Sequence, residues 1–257
     1  EHSPAQFYDH DKNPTFQLPG LDSFDHIFTF SVTVDNFNEF AAKAEKLSII
    51  SLREETIVIS YDDLLVYADY FDNPICFLHY LRQRKAAMHV PQYQMNDEFD
   101  HLGLYIDRNL YALNPSQYGD VKNIFWQGFR QSLDKYFNLL FVNPSAANKP
   151  VQNVPKEISE INDYLGRDVS PEKIHLAHFL MDLASDAKED FAEQIKYALK
   201  RQRELNHTVP IAAFGDIKCC AFISIPGIIQ RPVQEQLDYT YAAASRNEEI
   251  RVMWISL

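Results

Sequence analysis

The stretch Thr56-Ile57-Val58-Ile59-Ser60-Tyr61-Asp62-Asp63-Leu64 contains the change of pattern that decides the fold class. Its first half closes a run, 49–60, with two β-branched stretches, which predict either a hairpin or a single bent strand. Asp62 and Asp63 then offer carboxylates that can cap a helix running to Phe71. An earlier β-branched and aromatic run, 27–34, predicts another strand. Strands that alternate with helices predict a mixed, helix-rich α/β fold.

Helix signals dominate the rest of the chain. The predicted helices are 35–46, one from Asn73-Pro74 to before Pro91, one from Asn96, one from Asp120, one near 158–165, one from Ser170-Pro171, one from Asp186, and 233–245. In the helix from Asp120 an apolar stripe predicts a core face, formed by Phe125, Phe129, Leu133, Tyr136, Phe137 and Leu140. Strands are predicted at 208–214, at 218–225 and from Ile250, the first two joined as a hairpin.

One segment, 143–155, separates the chain into two halves. It contains three prolines and has no apolar period, which is typical of a linker. We therefore predict an irregular leader at 1–25 and two small lobes, 26–142 and 156–257, each with a short sheet and packed helices. A chain of 257 residues can bury a sizeable core without disulfides or metals.

Charge and composition exclude several classes of protein. The net charge is −12, so the average surface repels nucleic acid and anionic lipid, although a local basic patch can still bind an anion. No apolar stretch is long enough for a transmembrane helix. The three cysteines have no metal-ligand spacing, which indicates reduced thiols and a cytoplasmic protein. P-loop, G-x-G-x-x-G, G-x-S-x-G and C-x-x-C motifs are all absent from the sequence.

A short acid-x-Lys motif is formed by Asp216 and Lys218, beside a predicted strand. Restriction-type nucleases use such a motif to hold Mg²⁺ and to stabilise charge at a phosphate. That chemistry needs another carboxylate, and none is identifiable in the sequence. The alternative is structural, because Gly215-Asp216 suits a tight hairpin turn.

Two groups of residues raise the question of a metal site. His175 and His178 are three residues apart on a predicted helix, but no local third ligand completes a metal pattern. A denser cluster contains Asp97, Glu98, Asp100 and His101. We interpret it as a helix start, where acidic side chains are favoured by exposed N–H groups and by the helix dipole. The sequence therefore predicts no metal site.

Two basic clusters are candidates for anion binding. Lys196, Lys200 and Arg203 lie on the helix face opposite the apolar residues, and Arg82, Arg84 and Lys85 form the second cluster. The alternative is that both clusters are ordinary solvated helix faces, partly neutralised by neighbouring glutamates.

A family resemblance is carried by the strand at 27–34 and by two further segments, Leu52–Leu64 and Asn96–Tyr105. These segments look like stretches of uncharacterised bacterial proteins that resemble restriction-type or NERD-type nucleases, in the part following the nuclease core. The resemblance covers residues 26–111 and has no active-site motif. It implies an accessory portion of a longer nuclease-like protein, with the catalytic carboxylates elsewhere. A first residue other than Met agrees with that expectation.

Two functions follow as hypotheses. The first is a non-catalytic binding or regulatory region without a cofactor, from the C-terminal part of a bacterial nuclease-like defence protein. Its partner would be nucleic acid, held by a local basic patch, or another domain of a longer chain. The alternative is a metal-dependent phosphodiesterase or nuclease that uses Asp216, Lys218 and Mg²⁺. Whether the chain is an enzyme stays open at this point.

Overall fold

The chain is a helix-rich mixed α/β protein, which confirms the predicted fold class. Its architecture comes from a computed structural model that describes residues 6–8, 11–12, 14–17, 27–34, 56–90, 93–95, 97–108, 124–167, 170–205, 209–215, 219–225 and 251–256. In the predicted leader, β1 (Gln6–Tyr8) and β2 (Pro14–Gln17) pair antiparallel. The leader therefore contains a short hairpin.

The two strands predicted first form a parallel pair. β3 (Thr29–Thr33) lies beside β4 (Thr56–Ser60), and the register runs from Thr29 opposite Thr56 to Thr33 opposite Ser60. Parallel strands need a crossover connection. The helix predicted at 35–46 falls in that connection and lies outside the described residues. The apolar residues of β4 are buried, so this strand is part of the core.

The passage from β4 into α1 (Tyr61–Tyr70) is fixed by a capping box. The Ser60 hydroxyl accepts a hydrogen bond from the Asp63 backbone N–H (3.1 Å), and the Asp63 carboxylate accepts one from the Ser60 N–H (2.8 Å). The cap is therefore Ser60, and not the aspartates predicted for it. Ser60 has the extended backbone that a cap requires, whereas Asp63 occupies the third helical position.

Among the described residues of the first half there are three further helices: α2 (Pro74–Met88), α3 (Glu98–Arg108) and α4 (Gln131–Val142). The predicted Asn73-Pro74 start of α2 is confirmed, since the Asn73 side chain accepts a hydrogen bond from the Ile75 N–H (2.9 Å). At the start of α3, the Asp97 carboxylate accepts from the Asp100 N–H (3.0 Å), so Asp97 has the capping role predicted for Asn96. β4 and α1 to α4 surround one core, to which Met181 also belongs.

The helix predicted from Asp120 starts later than expected. Residues 124–126 are a strand, β6 (Ile124–Trp126), which pairs parallel with β5 (Tyr93–Met95). Gly128 has a φ of 86°, a conformation that L side chains rarely adopt, and it separates β6 from α4. Of the six stripe residues, Leu133 alone is buried, whereas Phe125 is 71% exposed. Phe129 and Phe137 are partly buried and pack against the first core, so the predicted core face is confirmed at Phe129, Leu133 and Phe137 and wrong at Phe125.

The segment 143–155 has little regular structure, but it is attached to the first half. It contains one 3₁₀ turn, Pro144–Ala146. The Tyr70 hydroxyl donates to the Pro150 carbonyl (2.8 Å), and the Gln152 amide donates to the Tyr105 carbonyl (2.9 Å). The division into two lobes joined here stays a prediction.

The second half contains three helices in the predicted positions: α5 (Lys156–Leu165), α6 (Pro171–Asp182) and α7 (Ser185–Leu205). Ser170 caps α6 by accepting a hydrogen bond from the Lys173 N–H (3.4 Å). The helices enclose a second core that also includes Ile75 of α2. Because Tyr80 of α2 belongs to the first core, this one helix has a buried face in each.

After α7 the structure describes three strands. β7 (Val209–Gly215) pairs antiparallel with β8 (Cys219–Ile225), and β9 (Arg251–Ser256) pairs parallel with β8. The predicted hairpin and last strand are confirmed, whereas the helix predicted at 233–245 lies outside the described residues. β7 lies against α7. In the part of the chain that the structure describes, every helix is too short or too polar to span a membrane.

Gly103 allows α3 to approach the chain before α4. A Cβ at this position would lie 2.5 Å from the carbonyl carbon of Phe129, and closer still to its oxygen. We expect Gly103→Ala to lower the free energy of unfolding by about 2 kcal/mol, because backbone atoms must move. Urea unfolding would measure this change, with Ser132→Ala on the exposed face of α4 as the control. Helix propensity alone predicts a gain of about 1 kcal/mol, so a more stable variant would contradict the close approach.

Candidate functional site

An open groove lies along the second half of α7. Its volume is about 410 Å³, and it is lined by Lys196, Leu199, Lys200, Arg203 and Glu204. The opposite face of the helix packs into the second core through Phe191, Ile195 and Ala198. This arrangement follows from helical spacing, since positions 196, 200 and 203 fall on one side of the helix. The structure thus brings Lys196, Lys200 and Arg203 together, as the sequence predicts.

Acidic side chains engage part of the groove. The Lys196 ammonium lies 2.8 Å from a carboxylate oxygen of Glu193 and 3.7 Å from one of Glu157. The hydrogen bond to Glu193 and the charge of Glu157 raise the pKa of Lys196. Glu204 lies 3.6 Å from the Arg201 guanidinium. Lys196 is therefore the least available of the three predicted cations.

Lys200 and Arg203 are different. Both side chains are exposed, and within the described residues neither of them has an ion-pair partner. A lysine ammonium and an arginine guanidinium are hydrogen-bond donors and have no acceptor. The planar guanidinium also matches the geometry of phosphate. These two side chains can bind an anion. They cannot act as a nucleophile or a general base while they are charged.

The second predicted cluster is not a surface cluster. Arg84 is buried at 2% exposure, and its guanidinium lies 3.1 Å from Glu98. Arg82 pairs with Asp182, and Lys85 is partly buried and engaged in interactions. The prediction of an anion site is corrected for Arg84, because its side chain faces the core instead of the solvent. Arg82 and Lys85 therefore lack the neighbour that the predicted site needs.

Glu98 is the centre of a closed polar cluster in the first core. Tyr67 and Tyr80 both donate a hydroxyl hydrogen bond to Glu98 Oε1, the second at 2.5 Å, and Arg84 donates to both carboxylate oxygens. All four side chains are almost completely buried. Burial and the nearby charge of Glu98 raise the pKa of both tyrosines, so they remain neutral donors. The cluster joins α1, α2 and α3.

A second polar cluster joins α2 to α6. One nitrogen of His79 lies 2.9 Å from the Tyr105 hydroxyl, and the other lies 2.8 Å from Asp182. Asp182 also accepts hydrogen bonds from Gln83 (2.8 Å) and Arg82. Burial lowers the pKa of His79 although Asp182 opposes this shift. A neutral histidine that connects a tyrosine and a carboxylate can relay a proton, but here it is fully buried.

The two histidines considered for a metal point in different directions. His178 is buried, with one ring nitrogen 3.3 Å from the Ile75 carbonyl and the other unpaired among the described residues. His175 is exposed. Among the described residues, no group of three or more His, Cys, Asp or Glu side chains is arranged to hold a metal ion.

The acidic side chains at the start of α3 are held by contacts within the protein. Asp97 pairs with Arg130, and Asp100 accepts a hydrogen bond from the Arg130 backbone N–H (3.0 Å). His101 is buried, and burial lowers its pKa well below the usual range. The predicted helix start is confirmed. The sequence did not indicate, however, that Glu98 and His101 would be buried.

Asp216 and Lys218 lie outside the described residues. The strands on either side, β7 and β8, are antiparallel neighbours, with Gly215 opposite Cys219. This pairing places Gly215 in β7, and it leaves the turn interpretation of Gly215-Asp216 a prediction. It does not test the catalytic hypothesis for the two side chains.

The comparisons with known proteins found no match. No family model, no curated protein and no solved structure is similar to this chain. The function has to be argued from the site itself.

Proposed function

We propose that this chain is a non-catalytic binding or regulatory module that holds a phosphate-bearing ligand in the groove on α7. One observation carries the proposal: Lys200 and Arg203 line the same groove and have no ion-pair partner within the described residues. Two unpaired cations one turn apart attract a group with more than one negative charge. The groove offers donors for such a group and a small apolar surface at Leu199.

The buried polar clusters support a binding role over a catalytic one for the described part of the chain. Glu98 is held by Arg84 and two tyrosines, and Asp182 by His79, Arg82 and Gln83. A carboxylate whose oxygens are already occupied is poorly suited to metal binding or proton transfer. In our proposal these residues join helices and keep α7 in position.

The wider context of the proposal rests on the resemblance of residues 26–111 to bacterial nuclease-like proteins. We propose a cytoplasmic accessory region, from the C-terminal part of a bacterial nuclease-like defence protein. The alternative is a Mg²⁺-dependent phosphodiesterase using Asp216 and Lys218, which lie outside the described residues.

The anion site can be tested with inorganic polyphosphate, titrated into the protein by calorimetry. We expect the double variant with Lys200→Gln and Arg203→Gln to bind at least about tenfold more weakly, because it removes the unpaired cations. Lys135→Gln, which removes an exposed lysine on α4, is the matched control and should bind as the unmodified protein does.

Two results would overturn the proposal. One is the absence of polyphosphate binding at low salt, or binding that the double variant leaves unchanged. The other is Mg²⁺-dependent cleavage of an oligonucleotide that is lost in Asp216→Ala, provided that this variant retains its thermal stability. That second result would favour the phosphodiesterase.

A further inference from the structure

Tyr197 lies beside the groove and exposes its ring to solvent. Its exposure is 62%, and it precedes Lys200 and Arg201 by three and four residues in α7. Within the described residues, the Tyr197 side chain has no ring contact and no hydrogen bond. Exposed tyrosines are common by themselves. The position of this one among cations calls for an explanation.

The charges of α7 are divided between its two halves. Its first half carries Asp186, Glu189, Asp190 and Glu193 together with one buried lysine, Lys188, and its second half carries Lys196, Lys200, Arg201, Arg203 and Glu204. Acidic residues near a helix start and basic residues near its end complement the helix dipole, so the order of signs is favourable for folding alone. The dipole does not account for an aromatic ring exposed within the basic half.

Helix geometry puts the ring and the cations within reach of one ligand. Around the helix axis, position 197 differs by about 60° from position 200 and by about 120° from position 203, and the step from Tyr197 to Arg203 is roughly 9 Å along the axis. A ligand that crosses this surface can therefore contact the ring and the ammonium or guanidinium groups at once. Because this stretch of the helix is short, it can contact a small number of phosphates but not the length of a rigid polyanion.

A ligand for this surface needs negative charges and a flat apolar face. A nucleotide chain has both, since phosphates meet Lys200 and Arg203 while a base stacks on the tyrosine ring. The base must be unpaired, because in a duplex each base face is covered by its neighbours. Acidic peptides and polyphosphate supply the charge but lack a ring system along the backbone.

We propose that the second half of α7 binds single-stranded nucleic acid, with one base stacked on Tyr197 and the adjoining phosphates held by Lys200 and Arg203. This inference rests on the proposed phosphate-binding function and names its ligand. Sequence preference is weak, because stacking accepts all bases and the groove offers few donors and acceptors for reading base edges.

The net charge of −12 limits affinity but does not prevent binding. At physiological salt, charges are screened beyond roughly 8 Å, so the groove acts mainly through its own cations and the nearby Glu193 and Glu204. Binding through two or three phosphates predicts a salt dependence with a slope of about −2 in log K against log salt.

The test measures the binding of a fluorescent 15-nucleotide oligo(dT) to the full chain, by fluorescence anisotropy at two salt concentrations. We expect Tyr197→Ala to weaken binding about tenfold and Tyr197→Phe to retain most of it, since stacking needs the ring and not the hydroxyl. Tyr164→Ala on α5 is the matched control, because Tyr164 is also exposed, at 47%, and lies outside the groove. Thermal unfolding of each variant checks that the fold is intact.

The outcomes separate the two proposals. If oligo(dT) binds and Tyr197→Ala weakens it while Tyr164→Ala does not, the inference is supported. If polyphosphate binds through Lys200 and Arg203 but Tyr197→Ala leaves oligo(dT) binding unchanged, the inference fails and the proposed function stands. Tighter binding of a 15-base-pair duplex than of oligo(dT) also overturns it. If neither probe binds, both proposals fail.

Discussion

Glu98→Ala should lower the free energy of unfolding by about 3–5 kcal/mol, the range expected when one partner of a buried ion pair is removed. The substitution would leave the charge of Arg84 buried at 2% exposure without its carboxylate. It would also remove the acceptor shared by the hydroxyl groups of Tyr67 and Tyr80. Urea unfolding at pH 7.5, with helix content as the signal, would measure this loss.

A double substitution distinguishes the buried charge from simple loss of volume. In Glu98→Leu combined with Arg84→Met, both charges are replaced by apolar side chains of similar size. We expect this double variant to be more stable than Glu98→Ala, since apolar replacement of a whole buried pair is often neutral or stabilising. If the loss in the double variant equalled the sum of the losses in Glu98→Leu and in Arg84→Met, Glu98 and Arg84 would not be coupled.

Acid should destabilise the protein through its buried histidines. Burial lowers the pKa of His79 and of His101, and it lowers the pKa of His178 to about 3. The unfolded chain, with a histidine pKa near 6.5, therefore binds more protons than the folded protein as the pH falls. The stabilisation from keeping these histidines neutral is fully present above pH ~6.5, and it is lost as the pH falls toward their pKa values in the folded protein. Between pH 7 and 4.5 we expect a loss of about 4 kcal/mol or more.

The contribution of a single histidine can be isolated with His178→Phe. Each neutral buried histidine adds at most about 1.4 kcal/mol per pH unit to the slope of the free energy of unfolding against pH. This variant should therefore reduce that slope by about the same amount. Asp63 and Asp100 act in the opposite direction, because burial raises the pKa of each carboxyl. Urea unfolding at intervals from pH 7.5 to 4.5 gives both slopes. Equal slopes would mean that His178 is not neutral in the folded protein.

Local signals in the sequence were sufficient for most helices. Asn73-Pro74 and Ser170-Pro171 combine a cap with a proline that suits the first helical turn, and both helices begin there. The prediction of a single helix from Asp120 fails for a local reason. Phe125 and Leu133 fit one helical stripe by spacing, but Gly128 interrupts it with a backbone conformation that spacing does not reveal.

The part of the candidate site that lies on a single helix could be predicted from local sequence spacing. Lys196, Lys200 and Arg203 lie on one helix, so their common face follows from the helical period. The pairing of His79 with Asp182 joins residues 103 positions apart, and no pattern within either helix specifies it. The sequence predicts Arg84 as part of an anion-binding cluster, but its partner Glu98 lies on another helix and holds it in the core, which no local pattern reveals. Tyr197 was missed because exposure depends on tertiary packing.

The helix α2 contributes side chains to both hydrophobic cores of this protein. Ile75 belongs to one core and Tyr80 to the other, so neither core is complete without the same fifteen-residue helix. A cut of the gene at 143–155 would give a C-terminal product whose core lacks Ile75 and a first-half product that exposes one face of α2. Exchange of either half between proteins, by recombination or by design, must therefore preserve the surface of α2 that the other half recognises.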